Sequence, residues 1–181
     1  DLKQIEELGK FDYVLCLGVL HHTGNACFGF QNILKLLKPR GYIVIGLYHT
    51  IGRIPLKLRK LLAKTLFKNN QRVKDYFIKI QIGDLTDKER VQGWWHDQYS
   101  HVHETTHTLG EVLRWFDKND IEYYQTLPPS NLFDDHILEI AGVWNKTGYP
   151  FLPVRIFTQL TWLWKTQRDG GYWITFGRAK R

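Results

Sequence analysis

The sequence predicts an α/β fold, and three features carry that prediction. A short apolar run, Phe11 to Leu17, lies between Gly9 and Gly18; a helix-periodic stretch follows; and a nearly continuous apolar run, Tyr42 to Tyr48, comes after Lys38-Pro39-Arg40-Gly41. Strand, helix and strand in that order make one βαβ unit, right-handed by default. The second strand can be apolar throughout because helices cover both faces of a parallel sheet. With 43% hydrophobic and 24% charged residues among 181, the chain has the apolar content of one core, so residues 1–181 read as a single domain.

The elements follow in order. Phe11-Asp12-Tyr13-Val14-Leu15-Cys16-Leu17 is rich in β-forming residues and bounded by glycines, as a buried strand should be. After Gly24-Asn25, the residues Phe30, Ile33, Leu34 and Leu37 recur at helical spacing until a cation, a proline and a glycine stop them at 38–41. The chain is then basic from Arg53 to Lys79, and residues 50–95 form a basic helical insertion. Within it Ile54, Leu58, Leu61, Leu62 and Leu66 share one helical face, with Lys57, Lys60, Lys64 and Lys68 around the rest. The sequence favours a surface helix that buries its leucine stripe over a dedicated membrane or nucleic-acid surface.

Further on, Thr108-Leu109-Gly110-Glu111 has the Thr-x-x-Glu pattern of a helix start, and Leu109, Val112, Leu113 and Phe116 give the stripe of a helix ending near Asn119. Ile121 to Gln125 reads as a strand ended by Pro128-Pro129. In the aromatic stretch from Tyr149 to Trp164, Pro150 and Pro153 suit a helix start, with Ile156, Leu160 and Leu163 expected to pack inward. Gly170 to Gly177 is a glycine-bounded terminal strand.

Two cysteines, Cys16 and Cys27, are too few for a disulfide framework and match no paired metal spacing, which suits a reducing, cytoplasmic setting. No uncharged apolar stretch reaches the roughly 18–20 residues of a membrane span. A formal charge of +7 inclines the chain toward acidic partners, nucleic acid among them.

The run from Phe11 to Thr23, containing Val19-Leu20-His21-His22, followed about twenty residues later by Leu36 to Tyr48, resembles the class I S-adenosylmethionine-dependent methyltransferase family. That family usually has Lys-Pro-Gly-Gly where this chain has Lys38-Pro39-Arg40-Gly41. The basic insertion, the segment Asp97-Gln98-Tyr99-Ser100-His101-Val102-His103-Glu104 and the terminal Gly-Gly-aromatic strand are similar to one branch of it. The resemblance implies a Rossmann-like sheet with strand order 4-5-7-6, taken from a full 3-2-1-4-5-7-6. The family's glycine-rich cofactor loop and its ribose-binding acidic residue have no counterpart here, and the chain opens on Asp1 and contains no methionine. The expectation is therefore a C-terminal part of such an enzyme that by itself binds S-adenosylmethionine weakly or not at all.

By the same resemblance, Asp1, eleven positions before Asp12, would reach the adenine amino group and Leu2 would offer a backbone contact, while Leu17, Gly18 and Val19 would line the cofactor's methionine side. Methyl transfer is an in-line displacement that needs alignment above all, and a base only when the acceptor must lose a proton. His21 and His22 follow the strand near the expected methyl group, and histidine is the residue type whose charge changes near neutral pH, so either can serve as that base or be a packing residue of the loop. Tyr48 and His49 emerge on the same edge, and with Asp97, Tyr99, His101, His103 and Glu104 are expected to shape the acceptor pocket. His101, His103, His107 and Glu104 also admit a zinc reading that would support hydrolysis, but the spacing matches no helical metal motif and no metal is expected. The competing reading is a non-catalytic basic module for nucleic acid or anionic membrane, built on a methyltransferase-like fold.

Overall fold

A computed structural model describes residues 7–65, 70–83, 86–96, 104–130, 144, 146–167 and 169–181. Four strands, β1 (Phe11–Leu17), β2 (Leu37–Tyr48), β3 (Ile121–Leu127) and β4 (Tyr172–Ala179), form one sheet in the order β1-β2-β4-β3. β1 and β2 are parallel, while β4 runs antiparallel to both β2 and β3. Helix α1 (Ala26–Leu34) joins the parallel pair, so the predicted strand-helix-strand unit is present. Three helices, α2 (Ile54–Thr65), α3 (Gln71–Ile82) and α4 (Lys88–Trp95), occupy the basic stretch after β2. α5 (Leu109–Lys118) precedes β3, and α6 (Leu152–Lys165) precedes β4.

The main core lies between one sheet face and helices α1 and α5, where Phe30, Ile43, Ile45, Leu47, Val112 and Phe116 are excluded from solvent. Phe30 stacks on Phe116 with ring centroids 5.6 Å apart, which locks the two helices together across the sheet. The opposite face carries a smaller cluster of Val44, Tyr124 and Phe176, against which Trp144 packs its ring edge. Among the described residues β1 stands at the edge of the sheet, and Tyr13, Leu15 and Leu17 along it are exposed.

Both predicted helix starts have their caps. The Asn25 side chain accepts from the Phe28 amide at 3.0 Å, and Thr108 accepts from the Glu111 amide at 3.2 Å. The second half of the Thr108 capping box goes elsewhere, because the Glu111 carboxylate bonds His107 Nδ1 at 3.0 Å.

The first helix ends sooner than its periodicity predicts. It stops at Leu34, and Leu37 already pairs with Phe11 as the start of β2. The Lys38-Pro39-Arg40-Gly41 turn survives as a bulge inside that strand, since the next pair is Tyr13 with Tyr42. Arg40 holds φ at +62°, the left-handed region in which glycine costs nothing and a side chain costs about 1–2 kcal/mol. Arg40→Gly is expected to raise the unfolding free energy by about 0.5–1 kcal/mol in urea denaturation, since the relief outweighs the extra freedom glycine gives the unfolded chain. A loss of stability would mean that the Arg40 side chain offsets its own strain.

Two helices are rotated relative to the sequence prediction. In α6 the buried side is Thr158, Gln159 and Trp162, whereas Ile156 and Leu160 face solvent and Leu163 is half-buried. Polar anchoring overrides the apolar period there: Gln159 Oε1 accepts from the Leu109 amide at 2.9 Å and bonds His49 Nε2 at 3.0 Å, and Trp162 packs edge-on against His49. In α2, Leu56 and Arg59 are buried, and Ile54, Leu58, Leu61 and Leu62 are exposed. Arg53, fully buried just before the helix, sets its rotation, and Leu66 lies outside the described residues.

Candidate active site

The carboxyl ends of β1 and β2 lie side by side, where open α/β sheets bind their ligands. β1 ends at Leu17, and Gly18 turns the chain with φ at +76°. An added Cβ on Gly18 would meet nothing within 4 Å, so the backbone there borders open space. Leu17 and Val19 are exposed on either side. The chain then makes a single 3-10 turn, Leu20–His22, which returns His21 beneath the edge at 1% exposure and leaves His22 half-buried.

His21 sits in an aromatic nest. Its ring centroid lies 4.0 Å from that of Tyr48, the last residue of β2, and 4.3 Å from His22. Tyr172, the first residue of β4, completes the nest at 6.5 Å from His21 and 6.0 Å from Tyr48. Burial, then the neighbouring Tyr48 and Cys16, push the Tyr172 phenol up to about 12, with the Gly18 backbone opposing the shift. Tyr172 occupies the space over Gly46: a Cβ built on Gly46 would lie 1.8 Å from the phenol oxygen, so only glycine lets the ring reach the edge.

Beneath the nest lies one buried guanidinium. Arg53 is fully buried, with its guanidinium carbon 3.6 Å from the centre of the Tyr48 ring. Its Nε donates to Glu104 Oε1 at 2.8 Å and its Nη2 donates to Glu104 Oε2, a bidentate pair, while Nη1 donates to the Gly170 carbonyl at 2.6 Å. Three stretches distant in sequence, the residue before α2, Glu104 and the terminal Gly170-Gly171 turn, therefore meet at this side chain. Gly171 must be glycine: φ is +85°, and a Cβ there would lie 2.6 Å from the Arg53 backbone nitrogen.

Burial pushes the Glu104 carboxyl up, but the hydrogen bonds and charge of Arg53, with Lys60 at 3.9 Å and His21 nearby, hold it below the ordinary carboxylate range. Glu104 opens a strap across the edge. The Thr105 amide and hydroxyl donate to the His21 carbonyl at 2.8 and 3.2 Å, and the His107 amide donates to the Tyr48 carbonyl at 2.9 Å.

His49 faces away from this nest. It is fully buried, its Nδ1 accepts from the Gly52 amide at 3.2 Å, and its Nε2 therefore carries the hydrogen donated to Gln159. Burial pulls its pKa down to about 4 even though the Gln159 bond raises it, so the imidazole is neutral. His107 bonds Thr105 Oγ1 at 2.9 Å and Glu111. Among the described residues no group of three side chains is arranged to hold a metal. Asp1, Leu2, Asp97, Tyr99, His101 and His103 lie outside the described residues.

The structure thus brings together Leu17, Gly18, Val19, His21, His22, Tyr48 and Glu104 from the sequence reading, and it adds Arg53 and Tyr172. Arg53 was hidden among many cations of the basic stretch, and only its position at the helix start set it apart. Tyr172 was legible as part of the Gly-Gly-aromatic strand but not as an edge residue.

No protein-family model matches the chain, and no curated protein matches it in sequence. In structure it is similar to PKMT2 from Rickettsia typhi, with TM-score 0.61 and 12% identity over 97% of this chain and 38% of that one. It is likewise similar to PKMT2 from Rickettsia typhi in complex with AdoHcy, with TM-score 0.52 and 16% identity over 96% and 36% of the two chains. The chain thus spans well under half the length of these neighbours, and at such identities the likeness is one of fold: a methyltransferase-like α/β fold.

Proposed function

We propose that the protein is an S-adenosylmethionine-dependent methyltransferase whose acceptor docks at the edge formed by the ends of β1 and β2. The observation that carries this reading is the open backbone at Gly18 beside the His21-Tyr48-Arg53 nest, in a fold shared with a protein solved with AdoHcy, the demethylated product of that cofactor. The order β1-β2-β4-β3 with β4 antiparallel supports reading these strands as 4, 5, 7 and 6 of the methyltransferase sheet, and the stretch 50–95 as an insertion after strand 5.

The edge fits the cofactor because a ligand can approach the Gly18 backbone without meeting a side chain. Leu17, Gly18 and Val19 would hold the methionine side, and Asp1 and Leu2 the adenine. When bound, S-adenosylmethionine supplies an electrophilic methyl group. His22, half-buried at the rim, takes the acceptor's proton where one must leave, and His21 orients it through the 4.3 Å ring contact. Tyr48 forms the pocket wall, with Arg53 and Glu104 behind it holding wall and strap in one geometry. The half-buried Tyr172 phenol keeps its proton at neutral pH, so it can donate a hydrogen bond to a ligand but not accept a proton.

Calorimetric titration with AdoHcy tests the reading. Protein expressed from its whole reading frame is expected to bind with micromolar affinity, and Val19→Arg, on an exposed side chain, to weaken binding by about tenfold or more without lowering the melting temperature. Absence of AdoHcy binding by the unsubstituted protein would overturn it.

A further inference from the structure

We propose that helices α2 and α6 form a docking surface that lies flat on an anionic lipid bilayer. A surface helix ordinarily turns its apolar stripe toward the core. Here two helices do the reverse. In α2 the side facing the body is Leu56 and Arg59, at 1% and 9% exposure, while Leu58 and Leu61 are 55% and 57% exposed and Ile54 and Leu62 extend the same outward stripe. In α6 the inward side is Thr158, Gln159 and Trp162, and the outward side is Leu152, Ile156, Phe157, Leu160 and Trp164, the last at 71% exposure. The spacing of these five residues keeps them on one helical face. The end of α6 adjoins the residues just before α2, where the Gly170 carbonyl accepts from Arg53 and a Cβ on Gly171 would strike the backbone of Gly52 and Arg53.

The charge pattern selects the occupant. Neither helix contains an acidic residue, the exposed Lys57 of α2 and Lys165 of α6 lie beside the outward stripes, and the whole chain carries +7. Leucine and aromatic side chains facing out, lysines beside them and no carboxylate within either helix are the pattern of a helix that sinks its apolar face into the boundary between headgroups and acyl chains. The exposed Lys57 and Lys165 can then reach up to lipid phosphates along their aliphatic stems. A nucleic-acid surface needs the cations outward, and here the outward stripes are apolar. Among the described residues no helix is long and apolar enough to cross a membrane, so these helices rest on the surface.

Co-sedimentation with vesicles tests the proposal, using protein from the whole reading frame. Vesicles containing about 30% phosphatidylglycerol in phosphatidylcholine are expected to bind it about tenfold or more tightly than phosphatidylcholine alone. The pairs Leu58→Glu with Leu61→Glu, and Phe157→Glu with Trp164→Glu, should each cut binding by about tenfold or more at an unchanged melting temperature, because all four side chains are exposed. A readout without charge reversal guards against misfolded variants: brominated lipid should quench tryptophan fluorescence, and Trp164→Phe should remove part of that quenching. The proposal is overturned if the anionic vesicles leave the protein in solution, or if binding survives both pairs of substitutions. It is equally overturned if Leu58→Glu dissociates a dimer, or if it lowers the melting temperature, since then another copy or another part of the protein covers the stripe. Retention on RNA that the leucine variants do not alter, without vesicle binding, overturns it too.

Discussion

Glu104→Ala is expected to lower the unfolding free energy by about 3–5 kcal/mol, because it strands the fully buried Arg53 guanidinium without its counter-charge. Most of that cost is the desolvated cation left behind and not the net worth of the pair. Arg53→Leu with Glu104→Leu is accordingly expected to recover more than half of the loss, as replacing both charges by apolar groups removes the desolvation problem. Urea denaturation of the two single variants and the double variant gives the coupling directly. If Glu104→Ala costs less than about 1 kcal/mol, the pair is not the joint described above.

The same pair has a defined acid sensitivity. The Glu104 carboxyl has a folded pKa below its ordinary 4.5, so its contribution is complete above about pH 4.5 and disappears as the pH falls through the folded value. Because Arg53 also touches Tyr48 and the Gly170 carbonyl, loss of the pair should loosen the pocket wall and the strap together. Under the proposed methyl-transfer reading, Glu104→Gln, which keeps the shape and one acceptor, should retain more activity than Glu104→Ala.

The second large effect comes from His49 and falls in a higher pH range. In the unfolded chain its imidazole titrates near 6.5, but in the folded protein near 4, because burial opposes the charge. Between those values the unfolded state binds the extra proton, so stability rises with pH across the window and falls by a total of about 3 kcal/mol on going from pH 7 to below 4. His49→Phe loses the bonds to Gly52 and Gln159 and is less stable at neutral pH, yet its stability should be much flatter between pH 6.5 and 4.5 than that of the parent. Equal slopes for the two proteins would exclude His49 as the source. The two windows are separate enough to assign, since Glu104 acts below about 4.5 and His49 mainly above it.

A neutral, doubly bonded His49 shows why neighbouring residues of like type separate in role. Tyr48 and His49 are consecutive at the end of a strand, so their side chains point to opposite faces. One meets His21 and Arg53 at the open edge; the other enters the layer of Trp162 and Trp173 and fixes α6. Strand alternation makes the separation legible in principle. Which face would be the open one is a property of the packed sheet.

By itself the sequence determined the features that depend on near neighbours. The strands at 11–17 and 42–48, the Asn25 and Thr108 helix starts, the end of α5 at Asn119 and the terminal strand all follow from local propensity, capping chemistry and glycine punctuation. The resemblance carried by the Phe11–Thr23 and Leu36–Tyr48 runs likewise pointed to the edge where the side chains of the proposed site converge. Tertiary structure alone decided the faces that α2 and α6 present. Their apolar periodicity predicted an inward leucine stripe, but a buried guanidinium at one helix and a buried glutamine at the other satisfy polar groups that no apolar contact can satisfy. An unsatisfied buried polar group costs as much as burying one or two aliphatic side chains gains, so the polar anchors set the rotation and the apolar stripes were left facing outward.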